Sequence, residues 1–385
     1  INPPIINVTY RLLAVQHYFA QDPNTDIAMR SAEQLIEELT RYKNWQNTTW
    51  GGANYTSYIH LLSAATVNAT FAKYYVGTPT NSNVASQITN FLGASLPGEN
   101  NSLTIRIFYY IGHSSKTWDG KHYMQLNAKN SHPTGPSTYE ELYADQLNKL
   151  LNYTAALQSN NCTLVILDTC YSGGFISSLS RSGRVILTAV NSTQLARGWI
   201  DNGTLSGGKY TLAPGWWGWF TGHPNANFRN GTNFGALGIL GGIRNAVDKN
   251  NDGWRSAGEV FWGFASSNTS TYAKNYPRND LPHNGQMSPQ SDYWVLGGGI
   301  PLVMSSVNIN KTEGGVTYTY ETPFPYNAKP WKIIALPPWS HWGHDPGHTG
   351  RSPWPGPGTN LLWSTNLVNP IVSSPIIADG MVCLA

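Results

Sequence analysis

An α/β fold, a mostly parallel sheet flanked by helices with a β-rich C-terminal extension, follows from three features of the sequence. Over the first 190 residues, runs of strand length alternate with segments of helical periodicity. The run LVIL at 164–167 is apolar throughout, as a strand covered on both faces is. From about residue 313 the chain becomes rich in Pro, Tyr and Thr, then in Gly and Pro, and closes on strand-like runs.

Taken in order, VTYRLLAV (8–15) reads as a strand and AMRSAEQLIEELTRY (28–42) as an amphipathic helix. SYIHLL (57–62) follows, then a helix near 82–94 and the strand-like run LTIRIFYYI (103–111). Within WDGKHYMQL, Asp119-Gly120 predicts a hairpin turn. Residues 138–157 predict one long helix, 163–168 a strand and RVILTAV (184–190) another. FGALGILGGIRNAV predicts a helix despite its glycines. The expected units are 1–312, a linker or β-arm at 313–338, and a C-terminal segment at 339–385.

Composition narrows the function classes. The 385 residues carry a net charge of only +3, with 12% charged side chains, which argues against a nucleic-acid partner. No apolar run approaches the roughly 18–20 residues of a membrane span. Asn-X-Ser/Thr triplets recur at Asn7, Asn47, Asn54, Asn68, Asn100, Asn152, Asn161, Asn191, Asn202, Asn230, Asn268 and Asn310. With so few charges they predict a secreted or cell-surface glycoprotein, as does a chain that begins at Ile1 like a processed product. Three cysteines cannot build a disulfide framework. Cys162 and Cys170 flank one strand and would stand roughly 25 Å apart, too far to pair. An unpaired thiol in such a chain invites a reactive reading, although inert buried thiols are commoner.

Two strand ends carry reactive side chains. IRIFYYIGHSS delivers His113 directly after one strand, and LVILDTCYSGG delivers Cys170 after another. In an open α/β sheet, functional groups collect beyond the carboxyl ends of the strands. On neighbouring strands about 4.8 Å apart, the imidazole reaches the thiol or a substrate beside it. Cys170 is then the nucleophile and His113 its base. Ser172, Gly173 and Gly174 are expected to turn the backbone sharply and aim the Cys170 amide at a developing oxyanion. Asp168 is expected to be a hydrogen-bonding residue near the turn. An isolated Cys or His at a strand end is most often structural; the pair at two such ends reverses that preference.

Strand-Gly-His, a further αβ unit, then strand-Asp-X-Cys-X-Ser-Gly resembles the caspase-hemoglobinase family of cysteine peptidases, which includes metacaspases, legumains and gingipains. The resemblance covers roughly residues 8–300, with the Asp-Gly hairpin after the His and VILTAVNSTQLARG after the Cys. It implies a caspase-like sheet, a His113–Cys170 dyad, a peptide or protein substrate, and Gly112 as the residue before the His. In the family a Gly after the His lends its amide to the oxyanion hole. Ser114 stands there in this chain, with an amide that still donates and a Cβ that adds bulk.

DKNNDGWRSAGE (248–259) fits the calcium-loop template D-X-[DN]-X-[DN]-G-X5-E throughout. Asp248, Asn250 and Asp252 take positions 1, 3 and 5, and Gly253 makes the turn. The carbonyl of Trp254, Ser256 directly or through water, and a bidentate Glu259 complete the set. A single loop of this kind predicts a structural Ca2+ rather than a sensor.

The last segment, from WSHWGHDPGHTG to SSPIIADGMVCLA, resembles the opening of a quinoprotein-like (PQQ-type) β-propeller. One partial blade cannot close a ring, so the tail is expected to continue beyond residue 385 or to pair with another sheet, for instance in a homo-oligomer or filament. His341, His344, Asp345 and His348 are expected to be opening-loop residues of that pattern, not metal ligands. Two functions follow. The first is an extracellular, calcium-stabilised cysteine endopeptidase. The second is an inactive scaffold assembled through residues 339–385 as a surface or filament protein.

Overall fold

A computed structural model describes residues 5–22, 25–41, 46–47, 51–94, 103–129, 138–152, 161–181, 184–196, 198–201, 205–206, 209–210, 215–218, 220–222, 238–247, 254–262 and 285–288, and hairpin pieces at 301–304, 307–313, 316–322, 376–378 and 381–383. Along the chain come β1 (Ile5–Gln16), α1 (Ser31–Arg41), β2 (Gly51–Ser63), α2 (Asn81–Gln87, continued by a π turn at Ile88–Leu92) and β3 (Leu103–Ile111). Then β4 (Ser114–Lys116), β5 (His122–Lys129) and β6 (Thr138–Tyr143) form a separate antiparallel sheet. It is followed by α3 (Ala144–Leu150), β7 (Asn161–Asp168), α4 (Ile176–Leu179) and β8 (Arg184–Thr188). The pair β9 (Gly198–Asp201) and β10 (Gly215–Gly218) precedes α5 (Gly238–Asn245). Last are β11 (Trp254–Ser256), α6 (Ala257–Val260), β12 (Gln286–Ser288) and β13 (Pro301–Met304).

Among the described residues the central sheet has eight strands, in the order β12-β8-β7-β3-β1-β2-(Gln46–Asn47), with Tyr75–Gly77 also on β2. All its pairings are parallel except those of β12 on β8 and of Gln46–Asn47 on β2. The fold class expected from the sequence is therefore the one observed. Strand order reverses between β1 and β3, so the crevice beyond their carboxyl ends is the natural place for a site.

Residue alternation along the buried strands feeds two cores. Leu12, Ile107, Tyr109, Ile166 and Leu187 face one layer, with Leu35 and Ile36 of α1, Ile243 of α5 and Val260 of α6. Leu13, Phe108, Tyr110, Val165 and Leu167 face the other, with Val84 of α2, Leu147 of α3 and Leu179 of α4. Arg184 is buried between the helix ends of this second layer. Its guanidinium donates to the carbonyls of Leu179 at 2.7 Å and Leu151 at 3.0 Å and to Asn148 Oδ1 at 2.9 Å, serving carbonyls at the ends of two helices.

The long helix predicted over 138–157 is corrected. Residues 138–143 are strand β6, paired with β5, and the helix starts only at Ala144. Glu140, Glu141 and Leu142 favour a helix locally, but Tyr139 and Tyr143 pack on Tyr123 of β5 at ring separations of 6.5 and 5.5 Å. Cross-strand aromatic pairing wins over intrinsic propensity. The remaining residues of that prediction, 153–157, lie outside the described residues. The helix read in FGALGILGGIRNAV is present as α5.

Val307–Glu313 and Val316–Thr322 form an antiparallel hairpin that spans the expected start of the arm at 313. In the C-terminal segment only the hairpin of Ile376–Ala378 with Met381–Cys383 is described. The propeller-like stretch before it, with His341, His344, Asp345 and His348, lies outside the described residues. No helix among the described residues is long and apolar enough to cross a membrane.

Candidate active site

Parallel pairing sets the height of the two reactive residues. β3 and β7 are neighbours, and their register matches Ile111 with Asp168. His113 and Cys170 each stand two residues beyond that matched pair, at the same carboxyl edge of the sheet. Both are half-buried.

Hydrogen bonds lace the two strand ends together. Thr169 Oγ1 donates to the Gly112 carbonyl at 2.7 Å, and the Ser114 hydroxyl donates to the Cys170 carbonyl. Tyr110, the second-to-last residue of β3, places its hydroxyl on the carbonyls of His113 at 2.6 Å and Gln125 at 2.8 Å. Burial, and next the neighbouring Cys170 sulfur, push the Tyr110 phenol well above its ordinary value. Burial also lowers the His113 imidazole below its ordinary value, favouring the neutral ring.

The Gln125 N–H donates to the His113 carbonyl at 2.9 Å, which makes Ser114–Met124 a non-hydrogen-bonded pair of the β4–β5 ladder. The Ser114 N–H consequently points away from β5. Its side chain, tied to Cys170, is turned to a structural use.

The turn after Cys170 departs from the expectation that its glycines supply the unusual torsions. The left-handed residue is Tyr171, with φ of 51°, and neither Gly173 nor Gly174 has a positive φ. Those two glycines serve close packing instead. A Cβ at Gly173 would lie 2.7 Å from the Asn191 backbone, and one at Gly174 would lie 2.1 Å from His122 Nε2. The strained Tyr171 is held by its N–H on the Gln194 carbonyl at 2.7 Å and by Gly174 N–H on its own carbonyl at 3.0 Å. Gly173 N–H donates to the Val190 carbonyl at 2.9 Å, and Cys170 Sγ lies 4.0 Å from the Ala196 carbonyl. The segment after β8 thus forms one wall beside the thiol.

Asp168 is fully buried on the other face of the sheet. It accepts from the Thr221 N–H at 3.0 Å and the Thr221 hydroxyl at 2.6 Å, in line with its reading as a hydrogen-bonding residue at the turn. Burial pushes its carboxyl up to about 6 despite these bonds. Tyr109 joins the same group through Thr221 Oγ1 at 2.6 Å.

Sequence reading missed several members of this site. His17 is the first residue after β1, as His113 is the second after β3, and its ring centroid lies 5.2 Å from that of His113. The signal, a His at the end of an apolar run, was the same in both. Tyr110, Thr169 and Thr221 gave no signal, because their partners are distant in sequence.

Of the proposed calcium loop, Asp248, Asn250, Asp252 and Gly253 lie outside the described residues. Trp254 and Ser256 lie in β11, which pairs with β13. Ser256 caps α6: its hydroxyl accepts the Glu259 N–H at 3.2 Å, and Glu259 Oε2 accepts the Ser256 N–H at 2.9 Å. Strand, cap and helix therefore hold positions 7, 9 and 12 of the template in a fixed relation.

Among the sequons, Asn7, Asn54 and Asn161 lie in β1, β2 and β7, Asn47 in the short edge strand and Asn310 in the 307–322 hairpin. Asn68 caps a 3-10 turn, Asn152 receives Arg184 at 3.3 Å, and Asn191 Oδ1 accepts from Thr193 N–H at 2.8 Å. Asn100, Asn202, Asn230 and Asn268 lie outside the described residues.

Residues 131–202, the segment that carries Cys170, match the sequence model of the Peptidase C13 family. No curated protein matches the chain. Among solved structures, the chain is similar to Raptor of Chaetomium thermophilum, with a TM-score of 0.27 and 12% identity, over 50% of this chain and 16% of that one. It is also similar to the Drosophila initiator caspase Dronc, with a TM-score of 0.25 and 10% identity, over 50% of this chain and 57% of that one. Neither is spanned over two thirds of its own length.

Proposed function

We propose that the protein is a cysteine endopeptidase in which Cys170 and His113 act as a dyad on peptide or protein substrates. The observation that carries this reading is the β3–β7 register, which sets imidazole and thiol at one height on adjacent strand ends. The match of residues 131–202 to a peptidase family supports it independently.

In this reading the neutral His113 ring takes the Cys170 proton. The thiolate then attacks the scissile carbonyl: a C–S bond forms and the π pair moves to oxygen. The outward amide of Ser114, beside Gly112, serves as a donor to that oxyanion. Collapse breaks the C–N bond, and the amine leaves with the proton from His113. Water, deprotonated by the same ring, releases the acid from the thioester. Because burial lowers the His113 imidazole, the base form persists on the acid side of its ordinary value. The acid limb of kcat/KM is accordingly expected below the usual imidazole range of about 6.5.

The test is labelling with a thiol-directed alkylating peptide, with cleavage of a peptide library alongside. Stoichiometric modification at Cys170, abolished together with cleavage in Cys170→Ala and His113→Ala, is the expected result. An unlabelled Cys170, with library cleavage unaffected by Cys170→Ala, would sink the reading.

We further propose that Asp248, Asn250, Asp252, the Trp254 carbonyl and Glu259 hold a structural Ca2+ in an extracellular protein. Ser256, whose hydroxyl is occupied by the α6 cap, takes part through water. The bound ion would fasten the segment after α5 to α6. Excess chelator is expected to lower the melting temperature of the wild type but not of Glu259→Gln. Identical melting of the wild type with and without chelator would argue against the ion.

A further inference from the structure

We infer that His17 is a positioning residue for His113, orienting its ring by an edge-to-face aromatic contact. The inference deepens the peptidase reading and rests on it for its catalytic meaning. His17 is the first residue beyond β1, and β1 is the neighbour of β3 on the side opposite β7. Its N–H donates to the Ile111 carbonyl at 2.9 Å, carrying the β1–β3 ladder one step past the matched Gln16–Ile111 pair. Its carbonyl accepts the Met29 N–H at 3.1 Å, so its backbone is held from both sides. The side chain is buried, with 1% of the residue exposed.

From this fixed base the His17 ring meets the His113 ring at a centroid distance of 5.2 Å and an interplanar angle of 77°. That is the T-shaped arrangement aromatic rings prefer, edge of one against face of the other. A base imidazole on a strand end turns about its terminal side-chain torsion, whose wells are broad. A perpendicular ring held by backbone bonds narrows that torsion and keeps one nitrogen directed along the sheet edge. Gly112 permits the approach: a Cβ there would lie 3.0 Å from His17 Cβ. Three consecutive strands thus contribute in order, with β1 supplying the orienting ring, β3 the base and β7 the nucleophile.

The experiment compares two substitutions that fill the same space, His17→Phe, which keeps a ring, and His17→Leu, which does not. Each is read by the kcat and KM of peptide cleavage and by NMR of the His113 ring. His17→Leu is expected to lower kcat about 3- to 10-fold, the scale of one aromatic pair, with KM unchanged and His113 ring resonances broadened. His17→Phe is expected to keep kcat and sharp resonances. If Phe and Leu behave alike, whether both active or both impaired, the orienting contact is refuted. A wild type that neither cleaves peptides nor labels at Cys170 sinks the peptidase reading instead, and the NMR comparison still decides whether His17 orders the His113 ring.

Discussion

Ser114 shows how one side chain can change employment without vacating its position. The hydroxyl turns back to the Cys170 carbonyl, so the bulk added where the resembling family has glycine is spent on tying β4 to the turn after β7. Ser114→Ala deletes that bond and is expected to cost about 1 kcal/mol of positioning, hence a several-fold fall in kcat/KM with little change in melting temperature. Steady-state kinetics and calorimetry on the same sample check both halves. Gly112 is less forgiving. A Cβ there would lie 2.4 Å from the Tyr110 hydroxyl, driving it off the carbonyls of His113 and Gln125. Gly112→Ala is therefore expected to destabilise the fold by about 2 kcal/mol, measured by denaturant unfolding. At this scale the placement of His113 and Cys170 at the ends of two neighbouring strands was legible, because each closely follows an apolar run. Tyr110 was not, since nothing local distinguishes it from Tyr109, whose hydroxyl serves the opposite face of the sheet.

Among the elements, strands proved more legible than helix limits. The run 103–111 is β3 to the residue, because its β-branched and aromatic residues suit a strand buried on both faces, even with Thr104 and Arg106 among them. The segment 138–157 misled because Glu140, Glu141 and Leu142 at its start have helical propensity, while the aromatic partner that makes 138–143 a strand lies in β5. The role of Arg184 was hidden in the same way: at the head of an apolar strand it looks like a boundary charge. In the fold it closes the ends of α3 and α4. Arg184→Met keeps the bulk but strands those carbonyls, and a loss of about 2–3 kcal/mol in chemical denaturation is expected.

On the scale of the molecule, the buried Asp168 carboxyl makes stability depend on pH. Its folded value of about 6 stands above the ordinary 3.8. The native state therefore binds this proton more tightly than the unfolded chain does. The resulting stabilisation is complete below the ordinary value and is lost as pH rises through about 6. The full span is on the order of 3 kcal/mol. Asp168→Asn preserves an acceptor for Thr221 and removes the proton, so the variant's melting temperature is expected to exceed the wild type's at pH 8 and to converge with it near pH 4. Equal curves for the two proteins would show that the carboxyl is not the titrating group. The parallel architecture was legible from the alternation of runs; the closure over Asp168 by Thr221 was not, because it depends on pairing with a residue far upstream.

The edge strand β12 has a consequence for synthesis. Gln286 N–H donates to Thr188 Oγ1 at 3.2 Å, and that hydroxyl in turn donates to the Gln286 carbonyl at 3.1 Å. The same strand end leads into the wall that carries Val190 and Gln194, on which the turn after Cys170 rests. A ribosome that has already delivered both reactive residues has therefore not yet delivered the strand that seals their support. Translation order therefore leaves the turn after Cys170 without this outer support until residues 286–288 have emerged.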